Sequence, residues 1–263
     1  MISASERLAR PRGPIRTGTW AWRLGGGILM AALLIGMLTR PVTTRQGIDF
    51  RVSVHELPLY AKALGFVYRH LEYRALADRI TRHLSTDEQR VLAVFDWTRR
   101  NIRPTPEGWT IVDDHILTII IRGHGLDDQM ADVFTTLATY AGIPAFWHVY
   151  KRPELGGQFV LSYARLGGRW VVFDVWHGLI FRHATGGLAS AQELAADPSV
   201  SESAGGSLIV SGLPYARYFV GYTPPAIPDP LRSKLQMPVY RLGYVLGRWL
   251  RRTSQETARV DRR

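Results

Sequence analysis

Cysteine is absent from all 263 residues, and that single lack removes a thiolate nucleophile, disulfide bonds and thiolate metal ligands. Acidic charge is also sparse. Only 22 Asp and Glu stand against 33 Lys and Arg, for a formal net charge of +11. Long apolar runs are missing apart from Leu24 to Leu38, and there is no internal repeat or low-complexity array. A chain of this length buries one core plus extensions rather than two full domains, and it can do so without disulfides.

The positive excess lies largely at the two ends. Arg7, Arg10, Arg12, Arg16 and Arg23 face only Glu6 in the first 23 residues, and residues 240–263 hold a second dense set of arginines. Basic ends beside apolar segments suit an anionic membrane surface better than nucleic acid, for which no motif is present. The uncharged run from Leu24 to Leu38 is short for a span and long enough for a signal-peptide core. Trp20 and Trp22 stand as an interfacial aromatic pair, and Arg23 can snorkel, which extends the segment toward Thr17. No small-x-small site follows Leu38. The expectation is an uncleaved anchor over 20–40, with a cleaved signal peptide as the alternative. The charge bias then puts a basic tail, 1–19, in the cytoplasm and the main domain outside, in the periplasm of a diderm cell.

Residues 41–50, with Pro41 and Gly47, read as a linker. Leu64, Val67, Leu71, Leu76, Ile80 and Leu84 recur near helical spacing and predict a helical stretch over 57–84 with one break. Ser85-Thr-Asp-Glu88 has capping-box form before a helix that Arg103-Pro104-Thr105-Pro106 forces to end near Asn101. A helix from Asp127 to Tyr140 precedes three strands, over 144–150, 158–165 and 169–174, the last two joined by Leu166-Gly-Gly168. A strand near 179–181 and a helix over 191–196, closed by Asp197-Pro198, follow. Four prolines between 224 and 230 mark a boundary. Beyond it, Leu235, Val239, Leu242, Val245, Leu246 and Trp249 share a broad helical face, with Arg241, Arg248, Arg251 and Arg252 off its centre. Such a helix lies on a membrane, packs on a partner, or docks on its own domain.

Two segments carry a resemblance. Gly125-Leu126, Asp128, Ala131 and Ala141-Gly142-Ile143-Pro144-Ala145 are similar to the segment of transglutaminase-like proteins that bears the active-site cysteine at a helix N-terminus. Arg169, Trp170 and Asp174 resemble the paired strands that follow, which carry the histidine and aspartate of a Cys-His-Asp triad. The resemblance covers about 85–182. It implies an α+β fold, helices packed on an antiparallel sheet, as in papain-type cysteine transferases and proteases. It also exposes two departures: Asp127 stands at the nucleophile position and Gln158 at that of the histidine, leaving Asp174 alone. Acyl transfer to cysteine needs a thiolate and an imidazole. A carboxylate is a far weaker nucleophile, and glutamine carries no proton near neutrality. At a helix start Asp127 instead suits a capping role.

Asp113-Asp-His115, His124, Asp127, Asp128 and Asp132 form a His/carboxylate set whose spacing matches no metal motif, so neither metal nor cofactor is expected. His115, His124, Asp128 and Trp176 are candidates to line a residual cleft. The expected organisation is a tail (1–19), an anchor (20–40), a juxtamembrane helical segment (41–84), a transglutaminase-like domain (85–200) and a C-terminal extension (201–263). The function expected is a non-catalytic subunit or binding module of a membrane complex or cell envelope. It would contact lipid or protein through Trp20, Trp22, Leu242, Val245 and Trp249, and would not bind nucleic acid. The alternative is a hydrolase or transferase with chemistry relocated to His115, His124 and Asp127.

The orientation has a direct check. Protease added to spheroplasts should digest the main domain, and N-terminal sequencing of the mature protein should find residues ahead of Leu24 still attached. A soluble form starting near residue 40 would identify a cleaved signal peptide.

Overall fold

The computed structural model describes the backbone of residues 18–113 and 115–260, and the side chains of residues 23, 25–113 and 115–251. Residues 1–17 of the expected tail, the side chains of Trp20 and Trp22, and Asp114 lie outside the described residues. Helix α1, Gly18–Leu38, leads into strands β1, Pro41–Ile48, and β2, Arg51–Pro58. Helices α2, Leu59–Thr81, and α3, Asp87–Asn101, follow. Then come β3, Arg103–Pro104, β4, Val112–Asp113, α4, Ile116–Arg122, β5, His124–Gly125, and α5, Asp127–Tyr140. Strands β6, Ala145–Arg152, β7, Gly157–Leu166, β8, Arg169–Asp174, and β9, Leu179–Ile180, lead to α6, Ala191–Ala196, and α7, Pro198–Gly205. The short strands β10, Ile209–Val210, and β11, Leu213–Pro214, precede the last helix, α8, Pro238–Val260.

The result is an α+β fold with helices against antiparallel strands. The central sheet runs β6-β7-β8-β9, with Phe146 opposite Tyr163, Tyr163 opposite Val172 and Phe173 opposite Ile180. Because side chains alternate along a strand, this sheet separates two cores. On one face, Ala145, Ala164, Val171 and Phe173 pack with Val94 and Phe95 of α3 and with Met130, Phe134 and Leu137 of α5. On the other, Phe159, Leu161, Tyr163 and Val172 pack with Leu194, Val200 and the aromatics Tyr215, Tyr218 and Phe219. Each fully buried large apolar side chain contributes roughly 1.5–3 kcal/mol. The turn between β7 and β8 uses Gly167 and Gly168 at φ +54° and +86°, the paired left-handed conformation of a tight hairpin. At Gly157 a Cβ would stand 2.4 Å from the Tyr218 ring, so only glycine lets the second core close over the start of β7.

Several expectations need correction. Residues 41–58 form a hairpin rather than a linker and helix: β1 pairs with β2 along its full length, and at its far end Gly47 and Ile48 pair with Asp113 and Val112 of β4. The turn, Asp49-Phe50, takes φ +46° and +63° without glycine. Asp49 is held there by exchange of backbone N–H and side-chain acceptor with Ile111: its N–H donates to the Ile111 carbonyl and its Oδ1 accepts from the Ile111 N–H, both at 2.8 Å. Helix α2 runs without the expected break, and Asp197-Pro198 opens α7 as well as closing α6, the Asp197 side chain accepting from the Ser199 N–H. The N-cap of α3 is Thr86 with Gln89, one residue later than the Ser85–Glu88 reading.

The expected anchor is a helix, but no helix among the described residues is long and apolar enough to cross a membrane. The uncharged stretch of α1 after Arg23 is about 22 Å long at 1.5 Å per residue, short of a hydrocarbon core of about 30 Å. Its apolar side chains from Ile28 to Met37 are largely exposed.

The cap of α3 gives a stability test. Gln89 N–H donates to Thr86 Oγ1 at 3.2 Å, and Thr86 N–H donates to Gln89 Oε1 at 3.4 Å. Thr86→Ala should therefore cost about 1 kcal/mol in urea unfolding, and Ser85→Ala less than half as much. Equal losses would return the cap to Ser85.

Candidate functional site

The entrance to α5 is built from the chain just before it. Gly123, at φ +72°, ends α4 and turns the backbone into β5, which pairs in parallel with β3. Leu126 then takes the extended N-cap position, and Asp127 is the first helical residue. Leucine offers no acceptor, so the free N–H groups find others. Gln129 Oε1 accepts from the Leu126 N–H at 3.1 Å and from Arg122 Nη2 at 2.6 Å, while its Nε2 donates to the Val112 carbonyl at 2.9 Å. Asp127 Oδ1 accepts from the Asp128 N–H at 2.8 Å. The expected capping role of Asp127 is thus shared: it sits one position inside the cap, satisfies one backbone donor and sets its charge in the first turn.

The other two triad positions part company. Ala164 of β7 faces α5, so by alternation Gln158 lies on that same face, exposed at the strand's start opposite Lys151. Asp174 has the parity of Val172 and points into the second core, on the far side of the sheet. There it is buried and accepts three hydrogen bonds: from the His177 N–H at 2.9 Å, from His177 Nδ1 at 2.7 Å and from the Tyr215 hydroxyl at 2.7 Å. Burial and the Asp174 charge drive the Tyr215 phenol well above its ordinary pKa. His177, whose ring also lies 5.8 Å from that of Phe159, is weakly marked in the sequence. Its one signal is the Asp-x-x-His spacing, which suits a turn closed by an aspartate.

The remaining candidates disperse. His124 Nδ1 lies 3.2 Å from Thr105 Oγ1, and its ring meets Trp109 edge-on. Burial first, then Arg122, lowers its pKa. His115 is the exposed N-cap of α4, and its carbonyl accepts from Thr118. Trp176 packs at the edge of the first core, and its carbonyl accepts from Arg99. No cluster of three His, Asp or Glu able to hold a metal occurs among the described residues.

What does assemble is an acidic niche along α5. Asp128 and Asp132, one turn apart, share a face. Asp132 is 8% exposed and accepts from Trp147 Nε1 at 2.6 Å, with Arg232 Nη2 at 2.9 Å. The Arg232 guanidinium also stands 5.7 Å over the Trp147 ring. Burial pushes the Asp132 carboxyl up to about 6 against the opposing pull of Arg232 and Trp147. Asp128 is raised too, by burial and then by Asp127, and its Oδ1 is buried without a partner among the described residues. The strap that brings Arg232 is fastened beside it. Ser233 accepts from Thr139 at 2.9 Å and donates to the Ala145 carbonyl at 2.6 Å, and the Tyr140 hydroxyl donates to the Gln236 carbonyl at 2.9 Å. Nothing local in the sequence ties a residue after the proline cluster to α5, so the clasp between Arg232, Asp132 and Trp147 has no linear signature.

Residues 74–175 match the family model described as the transglutaminase-like superfamily. Among solved structures, the chain is similar to a candidate cysteine protease from Cytophaga hutchinsonii, at 23% identity and a TM-score of 0.36, over 40% of this chain and 36% of that one. It is also similar to a candidate protease from Parabacteroides distasonis, at 20% identity and a TM-score of 0.32, over 39% of this chain and 23% of that one. The matches therefore span about a third and a quarter of those chains. No curated protein matches the sequence.

The Asp132 carboxyl makes stability depend on pH. Its folded pKa, about 6, lies above the ordinary 3.8, so between those values the folded chain holds more proton than the unfolded one. Its contribution is fully present below about 3.8 and is lost as pH rises through 6, a change of about 3 kcal/mol at 1.36 kcal/mol per unit. Urea unfolding of the wild type and Asp132→Asn should show the difference between them shifting in the variant's favour from pH 4 to pH 7. A pH-independent difference would place the Asp132 pKa at its ordinary value.

Proposed function

We propose that the transglutaminase-like domain spanning residues 74–175 works without catalysis, as a binding or assembly module that holds a partner at a membrane. One observation carries this reading. The carboxylate at the nucleophile position is spent on the start of α5, while the surviving aspartate is committed to His177 and Tyr215 on the opposite face of the sheet. No thiol exists to restore the missing step, and a glutamine at position 158 supplies no base.

The apolar surface supports the binding half of the proposal. On α8, Val239, Leu242, Val245, Leu246, Trp249 and Leu250 are all exposed. Arg241 leaves that face to lie over the Phe66 ring of α2 at 5.1 Å. A basic helix with an open apolar stripe suits a membrane interface or the helix of a membrane partner. On this reading α1 is the anchor and needs residues ahead of Leu24, Trp20 and Trp22 among them, to complete a span. The N-terminus would lie in the cytoplasm and the domain outside.

Two measurements test the proposal together. The wild type should incorporate no labelled amine into a glutamine peptide and hydrolyse no amide, and Asp127→Cys alone should remain inactive. Extraction in mild detergent should recover the chain in a larger assembly. Replacing Leu242, Val245 and Trp249 with serine should release it while the far-UV circular dichroism of the central domain persists. Wild-type turnover abolished by Asp127→Asn would overturn the non-catalytic reading; recovery of a lone chain whose membrane retention is indifferent to the serine substitutions would overturn the assembly.

A further inference from the structure

We propose that the groove between α2, α3 and the end of α5 is a binding site for an anionic phospholipid, a site distinct from the residual cleft. Its volume is about 700 Å³, within the range of small-molecule sites. Three guanidinium groups line it, those of Arg74 on α2, Arg82 at the end of α2 and Arg90 on α3, against one carboxylate, Asp78. Their own commitments are slight. Arg74 donates no hydrogen bond and makes no ion pair among the described residues; its charge, after burial, helps to lower the pKa of His70. Arg82 donates from Nε to neighbouring His83 at 3.2 Å and has no acidic partner among the described residues. Arg90 reaches the Leu84 carbonyl through Nε and exposed Asp87 through Nη1.

Guanidinium groups from two helices at one concave surface match the oxygens of a phosphate, which accept paired N–H donors. Apart from Thr81, whose hydroxyl donates to the Ala77 carbonyl at 2.8 Å, the rest of the wall is apolar: Leu71, Leu84, Ala75, Ala141 and the ring of Tyr140. That combination asks for a charged head with a hydrocarbon body. The surface leading into the groove supplies a path for the body. Leu64, Val67 and Leu71 recur at helical spacing along α2 and are 65%, 44% and 55% exposed, an apolar stripe left open to solvent among the described residues. The stripe starts near the end of α2 where the Leu59 N–H donates at 2.9 Å to the carbonyl of Arg40, two residues past the end of α1. A lipid with its phosphate on Arg74 and Arg82 and an acyl chain along Val67 and Leu64 satisfies both halves. A free phosphate would satisfy only one.

The test uses the full chain in detergent, titrated by calorimetry with dihexanoyl phosphatidylglycerol or with inorganic phosphate, the heat of each entering protein-free detergent being subtracted. The lipid should bind at least tenfold more tightly than phosphate. Arg74→Gln with Arg82→Gln should weaken the lipid at least tenfold, and Val67→Ser should weaken it without changing phosphate. Arg79→Gln, on α2 but outside the groove lining, should leave both unchanged, and thermal melts should match for all variants. No lipid binding by the wild type, or unaltered binding by the double variant, overturns the site. Phosphate binding as tight as the lipid overturns the lipid as its occupant. Because the readout is the loss caused by changes at Arg74, Arg82 and Val67, the result stands apart from whether α1 or α8 meets a bilayer.

Discussion

Helix α5 is buried without a break from Gln129 to Thr139, and a buried helix requires its polar side chains to be answered from within the protein. Much of the architecture answers that demand. Gln129 draws in Arg122, Val112 and the turn before the helix; Thr135 returns to the Ala131 carbonyl; Asp132 takes Trp147 from the sheet and Arg232 from the far C-terminal segment; Thr139 takes Ser233. Apolar packing of Met130, Phe134 and Leu137 supplies the bulk of the stabilisation, but these polar contacts choose which segment goes where. The residues at the start of α5 belong to the same scheme. Asp127 and Asp128 begin a helix whose placement is decided by its middle.

The parts of the fold legible in the sequence are those determined by local rules. Periodicity and proline stops placed α3 and its end at Asn101, and the Gly-Gly turn placed β7 and β8. What failed was of two kinds. The turn at Asp49-Phe50 lacks the glycine or asparagine that announces a tight hairpin; Asp49 is instead held in its left-handed conformation by a distant partner, Ile111. The cap of α3 slipped by one residue because serine and threonine stand side by side ahead of an acid and a glutamine, and the glutamine is the one that reaches back.

The site divides in the same way. The departures at 127 and 158 are visible in a linear pattern, since a pattern concerns residue types. Which face of the sheet Asp174 occupies is a matter of register, and register is set by pairing across strands. The Asp174–His177–Tyr215 network and the Asp132–Arg232 clasp each depend on a residue at least 40 positions away. The Asp-x-x-His spacing at 174–177 is a short-range signal for one contact of the first, and it says nothing of Tyr215. The proposed lipid groove likewise joins α2 and α3 to the end of α5, elements whose separate helical patterns say nothing of the concavity between them.

The β1–β2 hairpin bears on how the domain stands relative to α1. It is fastened at both ends: at its base by Leu59 and Arg40, beside the end of α1, and at its tip by the double contact of Asp49 with Ile111 and the pairing with β4. Eight paired residues at about 3.4 Å each make a strut of about 27 Å. A simple tether would let the domain swing freely on α1. A two-point brace instead sets a stand-off distance and an angle, and it delivers torque applied at α1 to the segment beside Asp113, one hydrogen-bonded step from the mouth of α5.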